Sequence, residues 1–183
     1  MGGGQRRKAT YADLEAAPPH LVAELVDGEL YTSPRPASLH ARAAGRLYSR
    51  MEGPFDQGRD GPGGWLLLFE PELHLGEDVL VPDIAGWRRE RMPVMPEVVG
   101  FTLAPDWVCE VLSHPDERAH LLPLYAREGI RHVWLVDPEV RTLEVLQLDG
   151  RRYSLAALHS GASTVRAEPF SALELPLRLL WAD

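Results

Sequence analysis

The sequence predicts a mixed α/β domain, a twisted sheet of parallel and antiparallel strands with helices packed on it. Three observations predict it. The element order reads helix, hairpin, helix, several strands, helix, strands; the apolar runs have strand length; and the helical segments show a recurrence of four residues. The 183 residues are enough for one domain with its own core. Residues 1–9 read as a disordered, glycine-rich and basic tail, and 10–183 as the domain.

Thr10 with Asp13 resembles a capped start to a short helix, Thr10 to Ala16, stopped by Pro18 and Pro19. In AELV-DG-ELYT, Asp27 and Gly28 supply the positive φ angles of a type I′ hairpin turn. Ser38 opens a helix to about Met51. Leu39, Ala43, Leu47 and Met51 should face the core, while Arg42, Arg46 and Arg50 line another face. DQGRDGPGG is a loop by turn chemistry. Trp65 to Leu75 and Val79 to Trp87 follow as two apolar strands joined near Gly76. The stretch Met92 to Pro105 is an irregular connection, with Val98 to Leu103 as a short ordered piece. WVCEVLS reads as a buried strand carrying one acid. A helix from about Asp116 to Glu128 ends at Gly129, with Pro123 inside it. RHVWLVDP and RTLEVLQL are strands linked at Pro138-Glu139. The tail from Arg151 is one or two edge strands and a short apolar helix.

Composition excludes several classes of function. No apolar run approaches the roughly 20 residues that span a bilayer, and the start lacks the apolar region of a signal peptide. A cytoplasmic location is the expectation. Cys109 is the only cysteine, so there is no intramolecular disulfide and no thiolate zinc site. The net charge of −8 argues against coating nucleic acid by bulk electrostatics, yet leaves room for a local basic stripe beside acidic residues. GPGG at 61–64 lacks the lysine and hydroxyl of a phosphate loop, and there is neither a G-x-S-x-G elbow nor an H-E-x-x-H pair.

Two acids stand out. Asp83 ends Val79-Leu80-Val81-Pro82, and Glu110 sits between Trp107-Val108-Cys109 and Val111-Leu112. An ionised carboxylate is costly to bury without a partner. One reading places Asp83 and Glu110 on neighbouring strands, directed at a shared divalent cation, Mg²⁺ or Mn²⁺. Hard cations prefer carboxylate oxygens, and such an ion can stabilise a phosphoryl transition state. The other readings are a strand-end acid in solvent or a turn former after proline for Asp83, and an ion pair with arginine for Glu110. Glu24, in Leu21-Val22-Ala23-Glu24-Leu25-Val26, is a third acid, read equally well as the solvent face of the hairpin.

The pieces AELVDGEL, VLVPDIAGW, WVCEVLS and LYAREGIRHVWLVDPEVRTLEVL resemble the Uma-two family of putative restriction endonucleases, within the PD-(D/E)XK nuclease superfamily. The resemblance runs from about Thr10 to the C-terminus. It implies the restriction-endonuclease-like fold, a mixed β-sheet flanked by helices, and DNA as substrate. It also implies metal binding by Asp83 and Glu110, with Glu24 a further acid close by. One departure matters. The superfamily places a lysine two residues after the glutamate, where this chain has Leu112. Members of the family usually carry it on the following helix, four residues before the tyrosine, where this chain has Leu121. Of the 19 basic residues 18 are arginine, and Lys8 is the only lysine.

Arg118, three residues before Leu121, could return a positive charge to the site, although arginine stays protonated and is a poor proton-transfer group. His114 and His120 are read as solvent-facing. Arg42, Arg46, Arg50, Arg88 and Arg89 are candidate phosphate contacts, and Trp87 and Trp107 are read as core or edge packing rather than base-stacking platforms. The sequence thus leaves three readings: a metal-dependent endonuclease, an inactive relative that binds nucleic acid or a protein partner, and an assembly domain whose acids are structural. A homodimer through strand-edge pairing stays open.

Overall fold

Local signals place the first elements. In a computed structural model that describes residues 7–114 and 116–181, Thr10 offers its hydroxyl and backbone N–H to the Asp13 carboxylate, and α1 runs Tyr11–Glu15. Residues 1–6 of the expected tail lie outside the described residues. Arg7 to Ala9 are tied to the fold: Arg7 pairs with Asp13, Lys8 with Glu77 at 3.0 Å, and Ala9 donates its N–H to Gly28. β1 (Leu21–Val26) and β2 (Glu29–Pro34) pair antiparallel across Asp27 and Gly28, both at positive φ.

α2 (Ser38–Met51) continues into a π-turn at Glu52–Asp56. Ala43, Ala44, Leu47 and Met51 are buried, as a recurrence of three and four residues requires. Leu39 was expected on the same face but is 42% exposed, because the first turn of α2 reaches past the body of the sheet to its strand ends.

The two long strands expected between Trp65 and Trp87 are four: β3 (Trp65–Phe69), β4 (Glu72–Leu75), β5 (Asp78–Leu80) and β6 (Ile84–Arg88). The chain breaks at Glu70, which takes φ 47° before Pro71, and again at Pro82-Asp83. After β7 (Gly100–Phe101) come β8 (Trp107–Val111), α3 (Glu117–Arg127), β9 (His132–Asp137), β10 (Thr142–Asp149) and β11 (Arg152–Ser160). The described chain closes with β12 (Thr164–Val165), β13 (Leu175–Pro176) and a 3₁₀ turn at Leu177–Leu179.

The four strands divide between two sheets. The larger has the order β11-β10-β9-β8-β6-β3, and the smaller β2-β1-β5-β4-β7. Pairing in the larger sheet is antiparallel except between β8 and β9, where α3 makes the crossover that parallel strands need. β11 is a free edge, and the register slips opposite Val145/Leu146, a bulge that bends such an edge away from regular pairing.

One face of the larger sheet carries Trp107, Cys109, Val111 and Trp134 against α2 and the C-terminal segment. The opposite face carries Trp87, Val108 and Leu135 against the smaller sheet and α3. Trp87 and Trp107 are both fully buried, as read from the sequence. Glu110 alternates with Cys109 and Val111, so it points to the second face, between the two sheets.

Leu47 anchors α2 with no exposed surface. Replacing it with alanine is expected to lower unfolding free energy by about 2–5 kcal/mol in urea titrations, through lost burial and the cavity left behind.

Candidate functional site

The site grows out of strand register. Ile84 pairs with Cys109 in the antiparallel β6–β8 ladder, so the next step brings Asp83 beside Glu110. The two backbones then serve each other's carboxylates. The Val111 N–H donates to Asp83 Oδ2 at 2.7 Å, and the Asp83 backbone N–H favours the ionised form of Glu110. Both acids are buried. Glu24 arrives from β1, whose Leu25 pairs with Val79 of β5, and its Oε1 accepts the Val81 N–H at 2.9 Å. It is not on the solvent face of the hairpin.

The remaining contacts come from the helices. The Tyr125 hydroxyl of α3, fully buried, donates to Glu110 Oε1. His40 of α2 places Nε2 2.6 Å from Asp83 Oδ1 and Nδ1 3.0 Å from Ser113 Oγ. A carboxylate oxygen accepts here, so His40 Nε2–H is the donor to Asp83, and Nδ1 shares the second hydrogen bond with the serine hydroxyl. The Ser113 N–H in turn donates to Glu117 at 3.0 Å. Sequence reading missed His40, Ser113 and the role of Tyr125. Nothing in the order of residues announces that the first turn of α2 ends over the strand ends of β6 and β8.

Electrostatically the cluster is short of positive charge. Burial pushes the Glu110 carboxyl well above the usual carboxylate range, and the charges of Asp83 and Glu24 push it further, against the Tyr125 hydroxyl and the Asp83 N–H. Glu24 is raised for the same leading reason, burial, with Asp83 and Glu117 adding to it. Among the described residues, His40 is the basic side chain bonded to any of these acids. Burial also raises Cys109 well above its ordinary value, which makes its thiol a poor nucleophile.

The chain matches the model of the Uma2 family, described as putative restriction endonuclease, over residues 9–178. It belongs to the Uma2 family. A search of curated proteins gives no match. Among solved structures, a protein from Anabaena variabilis described as a putative nuclease belonging to DUF820 superposes with a TM-score of 0.75 at 20% identity, over 93% of this chain and 96% of its own. That likeness establishes the fold. The mixed α/β architecture and the nuclease-like family read from the sequence are those found here.

For a Uma2 protein the donor set fits a hard divalent cation in one particular way. Neighbouring carboxylates without guanidinium or ammonium partners suit such an ion. Among the described residues, however, no three His, Cys, Asp or Glu side chains are arranged to hold one. Asp83 and Glu110 could supply two protein ligands, leaving the other positions to water and substrate oxygens, which is how Mg²⁺ ordinarily binds.

Several sequence candidates stand elsewhere. Arg118 forms an ion pair with Glu144 of β10. Register carries the row from Glu110 through Leu135 to Glu144, so this pair is two strands, about 10 Å, from Glu110. Arg118, which the sequence offered as a group that could return positive charge to the acids, is held by Glu144 in this structure. Lys8 is held by Glu77, away from the acids. Arg46 donates to the carbonyls of Leu179 and Trp181, Arg89 to Asp56, and Arg88 lies over the Trp65 ring at 4.4 Å. These three act within the fold, and Arg88 and Arg89 lie at the end of β6 opposite Asp83. Arg42 and Arg50 are exposed and pair with no described residue. His114 is exposed, and His120, also exposed, rests against Tyr31. No helix among the described residues is long and apolar enough to cross a membrane.

Two outcomes follow. A raised Glu110 stabilises the fold fully below the unfolded value near 4.5 and loses that contribution as pH climbs through the folded value. In EDTA, Glu110→Gln should therefore melt above the parent at pH 8, with the gap closing by pH 4. Arg118→Ala should cost about 1 kcal/mol, as a half-exposed pair does, and leave Mn²⁺ affinity in calorimetry unchanged.

Proposed function

We propose that this chain is a divalent-metal-dependent endonuclease that hydrolyses DNA phosphodiester bonds, with Asp83 and Glu110 as the metal-holding acids. The observation that carries the reading is the convergence of Asp83, Glu110 and Glu24 without a lysine or arginine partner. Burial and neighbouring charge raise the proton affinities of Glu110 and Glu24, and a cation would relieve that cost. When bound, Mg²⁺ or Mn²⁺ would lend positive charge to the phosphate and acidify the water it holds.

The chain's own groups do the rest. Val111 and His40 hold the Asp83 carboxylate by its two oxygens, and Tyr125 holds Glu110. Glu24, fixed on the Val81 N–H, keeps a third negative group beside Asp83. Burial of the acids strengthens their pull on a cation. Arg42 and Arg50, exposed on α2, are free to meet backbone phosphates as the strand approaches the helix that carries His40.

A second reading has its own support. A nuclease-fold protein that binds nucleic acid or a protein partner without cutting would also lack a lysine at the acids, as this chain does.

Calorimetric titration of Mn²⁺ and Mg²⁺, with plasmid cleavage scored on the same samples, separates the two. The parent should bind and cut, and Asp83→Ala, which removes a ligand, should lose both binding and cutting. Binding without cutting would establish the binding-only reading. No binding by the parent would remove the metal site and leave the acids structural.

A further inference from the structure

The geometry points to His40, braced by Ser113, as the positioning residue for the metal-holding carboxylate of Asp83. This inference rests on the metal-dependent reading above and deepens it, since neither the family match nor the acid pattern assigns a role to a histidine on α2.

Three observations support it. The first is the reach of the contact. His40 comes from a helix packed on the α2 face of the larger sheet, whereas the acids point to the other face. The contact forms only because Asp83 precedes β6 and Ser113 follows β8, so both stand at strand ends that the first turn of α2 can cover.

The second is that both ring nitrogens are engaged. Nε2 lies 2.6 Å from Asp83 Oδ1 and Nδ1 3.0 Å from Ser113 Oγ, and the His40 side chain is 11% exposed. A ring bonded at both nitrogens has one orientation available, and its helix is anchored by Ala43, Leu47 and Met51 in the core and by Arg46 at the C-terminal segment. Asp83 is therefore held from a rigid element.

The third is that the carboxylate is held without being filled. Two oxygens offer about four acceptor sites. The Val111 N–H takes one on Oδ2 and His40 one on Oδ1, so lone pairs stay open on both for a cation. Partners of this kind orient a ligating carboxylate, and their loss commonly costs 10–100-fold in metal affinity.

The test is calorimetric titration of Mn²⁺ into the full chain, its His40→Ala, His40→Gln and Ser113→Ala variants, with thermal melts of each. His40→Ala should weaken binding by about 10–100-fold. His40→Gln, whose amide N–H reaches the position of Nε2, should return it to within about threefold of the parent, and Ser113→Ala should fall between them. Should His40→Ala fail to fold, the glutamine and Ser113 variants carry the same comparison: binding near the parent's for glutamine and weakened for Ser113→Ala supports the assignment, and any other pattern overturns it. Binding by a folded His40→Ala as tight as the parent's overturns the positioning role and leaves the metal reading standing. Tighter binding overturns it too, by showing that His40 competes with the cation. Equal weakening in alanine and glutamine variants with parent-like melts means that ring packing matters and the hydrogen bond does not, which also overturns it. A parent that binds no Mn²⁺ removes the metal reading, and this assignment falls with it.

Discussion

The structure turns on one constraint: a carboxylate taken out of water must be met by hydrogen-bond donors. Asp83 meets it by joining three parts of the chain. Its own position precedes β6, its Oδ2 accepts from Val111 on β8, and its Oδ1 faces His40 on α2. Its carbonyl also accepts the Glu70 N–H, which fixes the turn out of β3. The residue with the clearest chemical potential is thus also a junction of the larger sheet, and the site inherits the rigidity of the strands that build it.

Glu110 meets the same constraint differently. It lies inside a strand, so its backbone is committed to the ladder and its side chain is met by Tyr125, a residue 15 positions on that lies on the crossover helix α3. The parallel pairing of β8 with β9 and the placement of Tyr125 are consequences of the same connection. Glu24 is brought in by the smaller sheet, through the β1–β5 pairing. Three acids from two sheets and donors from two helices therefore converge only when both sheets are assembled. Their mutual repulsion is a cost of that assembly, and it adds to the burial that raises the Glu24 and Glu110 carboxyls.

The arginines show how composition and arrangement differ. With 18 arginines and one lysine, the chain has ample positive charge, but most of the candidates for nucleic acid are committed. Arg46 caps carbonyls at the C-terminal segment, Arg89 holds Asp56, and Arg118 holds Glu144. Guanidinium groups favour such planar, multidentate partners, so in an acidic protein they are readily drawn into the fold. Among the described residues the basic side chain that does reach the acids is a histidine, His40.

Local chemistry was legible in the sequence. The capping pair Thr10 and Asp13, the Asp27-Gly28 turn, the span of α2, the crossover helix and the edge position of β11 all rest on interactions within a few residues, or on periodicity, and each was read correctly to within a residue or two. The neighbourhood of Asp83 and Glu110 was one of the readings the sequence offered, and the β6–β8 register brings the two side by side. The partition of β3 to β6 between two sheets was not. Runs buried on both faces have no polar side to reveal which neighbour they choose. Nor was the burial of Glu24, the loss of Leu39 from the core, or the contact of His40 with Asp83 and Ser113. Sequence by itself determined which acids the protein carries and which elements hold them. Tertiary structure alone decided what surrounds those acids, because hydrogen bonds spanning 43 and 73 residues depend on how helices and sheets are stacked, and no local pattern encodes that stacking.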